Sequence, residues 1–254
     1  MSHLHEPARP AAGEKHARWF SHLVVVVGSA GALWTLDDDP LPAEEFDWTA
    51  VAERDRRFVS GVLETSDRVC DTLFDVELRT ITRRILARVA VHDPRPLRRS
   101  VRPERCAAGL VWIAAVGNGA LGRRPRPRAS LVWTMCRVTD CSDRGRALRR
   151  AAGLCCSPDE DRRWRGVLPL GDPGLLDSRS RASLIAGRDA LADEIERRSS
   201  YTIEPHSRIA HVRSAPARPL LVAKGLLPER ARVVVVVGFG EELDDASPPS
   251  EQVA

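Results

Sequence analysis

Apolar residues recur at helical spacing through the middle of the chain. Val51, Phe58, Val62, Val69 and Leu73 fall at steps of seven and four while Glu53 to Arg57 face water, which predicts a helix from Asp47 that Thr65-Ser66 splits in two. A second helix is expected from Asp75, a good N-cap, to His92, with Leu78, Ile81, Ile85 and Val89 as its stripe and Pro94 and Pro96 ending it. Arg79, Arg83, Arg84 and Arg88 on its other side read as a solvated face. Next comes PERCAAGLVWIAAVGNG, Pro103 to Gly119, apolar or small on every side between Cys106 and Val116. A helix with no polar face is buried all round, so this one is expected at the centre, opened by Pro103 and closed by Asn118-Gly119. Trp112, halfway along it, is then expected among the most buried aromatic residues. The run falls well short of the ~20 residues that cross a bilayer.

The ends are less regular. Residues 1–17 read as a disordered leader, and Leu23 to Val27 as a short buried strand of β-branched valines. Lys15 and Arg18 before an apolar stretch, with Ala30-Gly31-Ala32 after it, also fit a secretory leader, although Ser21 and His22 interrupt the run. Beyond Gly153 a polar linker leads to an amphipathic helix from Ser178 to Arg198, with Leu184, Ile185, Leu191 and Ile195 on one side. Ile203 to Val212, Pro219 to Leu227 and Arg232 to Phe239 read as two or three strands before an acidic, Pro-rich tail from Asp244.

Charge separates the middle from the rest. Residues 95–150 hold 14 basic and 3 acidic residues, a net +11, whereas 1–94 are at −5 and 151–254 at −2. Only Lys15 and Lys224 among the 39 basic residues are lysine, so arginine content by itself reflects coding bias; its placement points to an anionic partner. GRRPRPR at 122–128 cannot be helical and forms an exposed basic loop carrying Arg123, Arg124, Arg126 and Arg128. After it, Ser130 to Arg137 and Ser142 to Ala152 read as two short helices joined by a turn at Val138 to Cys141, the outline of a helix-turn-helix without the usual turn glycine. Arg144, Arg146, Arg149 and Arg150 are expected on or near its exposed side. Ser130, Ser142 and Ser178 are assigned as helix caps.

Catalytic patterns are missing from the sequence. It contains no G-x-S-x-G, H-E-x-x-H or phosphate-loop pattern, and Gly28-Ser-Ala-Gly31 is followed by no helical periodicity. Cys70 and Cys106 sit on apolar stripes, and Cys136, Cys141, Cys155 and Cys156 lack paired zinc spacing. His92 suits a helix end; His206 and His211 are scattered along an expected edge strand and form no metal-ligand pattern. Neither a metal nor a cofactor is expected.

The stretch CDTLFDVELRTITRRILARVAVHDPRPLRRSVRPERCAAGLVWIAAVGNG, followed by RGRALRRAAGL, resembles a family of bacterial proteins of unknown function. That family's helical domain has a similar acidic start, a central Ala/Trp helix ending in Gly-Asn and a closing helix-turn-helix-like pair. Its layout is similar to half of the cyclin-type repeats of general transcription factor B. The resemblance covers about residues 66–154, carries over no catalytic residue and implies a helical domain in contact with nucleic acid.

The expected fold is mainly α: a helical-bundle core with a small α+β C-terminal extension. Its expected divisions are a leader at 1–47, a core at 48–154, a helix with short strands at 155–243 and a tail at 244–254. The expected function is DNA or RNA binding through the basic helix-turn-helix-like region, without enzymatic activity, in a cytoplasmic chain that does not enter a membrane. The alternative is a protein-interaction module using the Arg179 to Arg198 helix or the valine strands.

Overall fold

The structure is a computed structural model and describes residues 12–99, 102–122, 125–154 and 168–200. The expected strands of residues 203–239 and the acidic tail lie outside these. Among the described residues the chain forms nine α-helices. They are α1 (Ala12–Val27), α2 (Ala30–Trp34), α3 (Glu53–Leu73), α4 (Val76–His92), α5 (Arg95–Arg99), α6 (Pro103–Gly117), α7 (Ala129–Met135), α8 (Ser142–Ala151) and α9 (Ser178–Ser200). Single 3-10 turns sit at Trp48–Ala50 and Pro173–Leu175. No described helix is long and apolar enough to cross a membrane.

The mainly helical expectation holds, and α6 is its axis. Cys106 to Val111 and Ile113 to Ala115 are fully buried, with α3 and α8 packed along α6 and α4 beside it. The approach of α8 is close because glycines meet: a Cβ on Gly109 would sit 3.1 Å from the Gly145 nitrogen. Trp112 is a correction: it is not among the most buried aromatic residues but partly buried, whereas Phe20 and Phe46 are buried. After its first turn, Trp112 and Val116 are the α6 residues that reach the surface, and the Trp112 ring lies over Gly145, whose Cβ would fall 2.4 Å from Trp112 Cε3. Beyond its first turn the helix carries no polar residue to mark these positions, so its periodicity could not reveal them.

α3 is a single helix. Thr65 and Ser66 are buried inside it, with the Ser66 hydroxyl donating to the Leu63 carbonyl (3.1 Å), so they do not split it. α4 begins as expected, with Asp75 accepting from the Leu78 N–H (3.0 Å). The valine strand is wrong. Leu23 to Val27 end α1, which begins within the expected leader and buries Phe20, Leu23, Val26 and Val27. Steps of three and four place those four on one helical face, and that packing outweighs the β preference of valine. α1 stops at Gly28 (φ 100°), where a Cβ would meet the Gly171 carbonyl oxygen at 2.2 Å and the Gly171 N–H donates to Val26 O (3.1 Å). The short α2 follows, capped by Ser29.

Residues 168–191 belong to the same compact unit as the core, which ends at Leu191; the rest of α9 falls in a second unit. Asn118, at the end of α6, donates to Leu175 O (3.0 Å) and accepts from the Asp177 N–H (2.7 Å). Glu77, 8% exposed, accepts from the N–H groups of Leu41 (3.2 Å) and Ser178 (2.7 Å) and from the Ser178 hydroxyl (2.6 Å). One buried carboxylate on α4 thereby ties down both flanking segments. Burial alone would raise its pKa, but the bonds from Ser178 and Leu41 and the nearby charge of Arg181 outweigh that and hold it below the ordinary carboxylate value.

Two cap assignments shift to a neighbouring aspartate. Asp177, not Ser178, caps α9 through the Ser180 N–H (2.7 Å), and Asp140 rather than Ser142 accepts a first-turn N–H of α8, that of Ser142 itself (2.8 Å). A carboxylate makes the stronger, charge-assisted bond at a helix start. Ser130 lies inside α7, where its carbonyl accepts from the Thr134 hydroxyl.

Candidate nucleic-acid interface

The region in question is α7, the turn after it and α8. It is fastened from below by an apolar cluster of Val69, Cys70, Ala108, Val111, Val132, Cys136 and Cys141. Four cysteines, 70, 106, 136 and 141, are buried free thiols, and burial pushes the Cys70 and Cys136 thiols up to about 12. They are filler, not nucleophiles. Among the described residues no three His, Cys, Asp or Glu side chains gather to hold a metal.

Three helices end in the same hydrogen-bond pattern, an i to i−3 bond followed by an i to i−5 bond. After α6 the donors are Gly119 and Ala120, after α7 Arg137 and Val138, and after α8 Gly153 and Leu154. The pattern needs a left-handed residue at its first donor, and Gly119 (φ 59°) and Gly153 (φ 70°) supply it at no steric cost. After α7 it is Arg137, at φ 53°, the one described non-glycine residue with positive φ. The missing turn glycine is therefore an arginine accepting the glycine conformation, its side chain exposed.

The expected arginines divide sharply. Arg123 and Arg124 lie outside the described residues. Arg126 and Arg128 are exposed in a loop closed by the Gly122 N–H on Pro127 O (3.1 Å). On α8 the exposed row is Asp143, Arg146 and Arg150, at steps of three and four. Arg146 pairs with Asp143 (2.7 Å) and its guanidinium lies 6.0 Å from the Trp112 ring centre. Arg144 and Arg149 are corrections, because neither is on the exposed side. Arg149 is 2% exposed and donates to Pro169 O (2.8 Å); Arg144 is half-buried on the Pro96 carbonyl and the Cys106 sulfur. Both turn into the crevice between α8 and its neighbours, where their donors close off carbonyls that would otherwise be buried unpaired.

The arginines of α4 are a further correction. They are not a solvated face: Arg79 pairs with Asp71 (2.7 Å), Arg83 with Asp67 (2.8 Å), Arg84 with Glu44 and Arg88 with Asp172. Arg126, Arg128, Arg137 and Arg150 have no acidic partner within 4 Å among the described residues, and the sequence signal that marks them is the scarcity of acids between 95 and 150. The Arg179 to Arg198 helix forms within α9, but Arg181 is buried against Asp37 (2.8 Å) and Leu191 is buried as well. Much of its inner side is thus spent within the fold. No protein-family model, curated protein or solved structure matches the chain.

Proposed function

We propose that the chain binds nucleic acid through the loop, turn and outer α8 row that carry Arg126, Arg128, Arg137, Arg146 and Arg150. The observation that carries the reading is that four of these, all but Arg146, are exposed without an acidic partner, whereas the arginines of α4 are each paired. The ion pair of Arg146 is exposed on both sides and contributes little, so a phosphate can displace it. Arg137 adds a local signal: a non-glycine residue kept in a left-handed position costs ~1–2 kcal/mol, and such departures gather at functional sites.

The test is fluorescence anisotropy with labelled duplex and single-stranded oligonucleotides of mixed sequence at low salt. The triple substitution Arg126→Gln, Arg128→Gln and Arg150→Gln should leave the melting temperature near that of the parent and weaken binding by at least ~tenfold. Replacing Arg144 or Arg149 would test folding instead. A parent that binds neither oligonucleotide, or a triple variant that binds as tightly, rules the reading out.

A further inference from the structure

A cleft of about 630 Å³ opens beside this region, where α1, the turn between α3 and α4, the end of α6 and the start of α9 meet. Val26, Leu78 and Leu176 form its buried floor, and Leu73, Phe74 and Leu184 line it half-buried, leaving apolar surface turned to the opening. Its volume lies in the range of small-molecule sites, about 300–1,000 Å³. The walls are fixed: Asn118 is bonded to Leu175 and Asp177, and the Ser180 hydroxyl donates to the Asn118 carbonyl (3.1 Å).

Two arginines and two aspartates line the cleft, and the arginines are the pair left uncommitted. Arg126 and Arg179 line the cleft, both exposed and both without an acidic partner within 4 Å among the described residues. The cleft's two acids are already engaged, because Asp75 accepts from the Leu78 N–H and Asp177 from the Ser180 N–H. An apolar floor under two uncommitted guanidinium groups is complementary to an apolar body ending in one anionic group.

We infer that this cleft is a binding site for a small amphipathic organic anion, its apolar part against Leu73, Phe74 and Leu184 and its anionic end at Arg126 and Arg179. The site does not depend on the nucleic-acid reading, since Arg179 lies outside the arginine set that reading uses. Arg126 belongs to both, so an occupied cleft withdraws one arginine from the interface.

The experiment uses the full chain without nucleic acid, with anilinonaphthalene sulfonate as probe and dodecanoate as competitor. One equivalent of dye should bind saturably and be displaced by dodecanoate. Arg126→Gln and Arg179→Gln should each weaken it roughly tenfold, the effect of losing a charge-assisted hydrogen bond. Ser183→Trp, at the exposed rim, should block it, whereas Arg57→Gln on the outside of α3 should leave it unchanged. Melting curves identify any variant that fails to fold; if Ser183→Trp does, the arginine variants still decide. Non-saturating dye, displacement by neither competitor nor rim tryptophan, or equal affinity in the parent and both arginine variants overturns the inference.

Discussion

Arginine has two fates in this chain, seen by setting α4 beside the α7–α8 region. On α4 the guanidinium groups are partly buried and fasten distant segments. Arg84 donates to Glu44 (2.9 Å) and to Gly174 O (2.6 Å), joining segments 40 and 90 residues away. Around α7 and α8 the exposed arginines reach no acid from a distant segment, Arg146 pairing only with Asp143 on its own helix, while two others, Arg144 and Arg149, have been drawn inside. Helical position alone does not distinguish these cases. What distinguishes them is whether an acid or a carbonyl from elsewhere in the chain arrives to meet the side chain.

The comparison breaks most visibly at Arg149. Arg149→Ala should cost about 3 kcal/mol or more, because it leaves both a cavity and an unpaired Pro169 carbonyl, and chemical denaturation should show the loss as an earlier midpoint. Arg84→Ala should cost less, about 1–2 kcal/mol, since its pair with Glu44 is partly exposed. A double-mutant cycle with Glu44→Ala should recover a coupling between them; additive losses would mean that the pair only coincides in space.

Acid should act on the fastened region first. The Glu77 carboxyl titrates below its ordinary 4.5, so its contribution is complete above that pH and is lost as pH falls through the lowered folded value. Glu77→Gln should be less stable than the parent at neutral pH, and the difference should shrink on acidification. A difference that stays constant with pH contradicts the assignment.

A smaller stability effect has the opposite sign. Arg137→Gly relieves a left-handed arginine and should raise stability by about 0.5–1 kcal/mol while weakening oligonucleotide binding. A destabilised variant would show that the Arg137 side chain serves the fold. Arg150→Ala should shift stability by no more than about 0.5 kcal/mol.

How much of this was legible depends on the range of the cause. The stripe of α4, the boundaries of α6 and the outline of α7, turn and α8 are written in spacing and end signals within a few residues, and the structure keeps them. α1 was misread because four successive valines suggest a strand locally, and only the spacing of Phe20, Leu23 and Val27 shows the face that packs. The burial of Arg149 depends on Pro169, 20 residues on, and the pairing of Arg88 on Asp172, 84 residues on. No local pattern encodes such encounters. The loop arginines Arg126 and Arg128 were legible because prolines forbid a helix there, so exposure followed from the sequence itself.

The central claim is that the exposed arginines of the α7–α8 region are free to neutralise phosphates, whereas those of α4 are held in ion pairs within the fold. The most direct measurement is the salt dependence of duplex binding for the parent, the Arg126/Arg128/Arg150→Gln variant and an Arg54/Arg56/Arg57→Gln variant on α3. Each lost phosphate contact flattens the slope of log K against log salt by about 0.9. The first variant should therefore lose about two to three units of slope, and the α3 variant should match the parent. Equal slopes for all three, or a larger loss for the α3 variant, would contradict the claim.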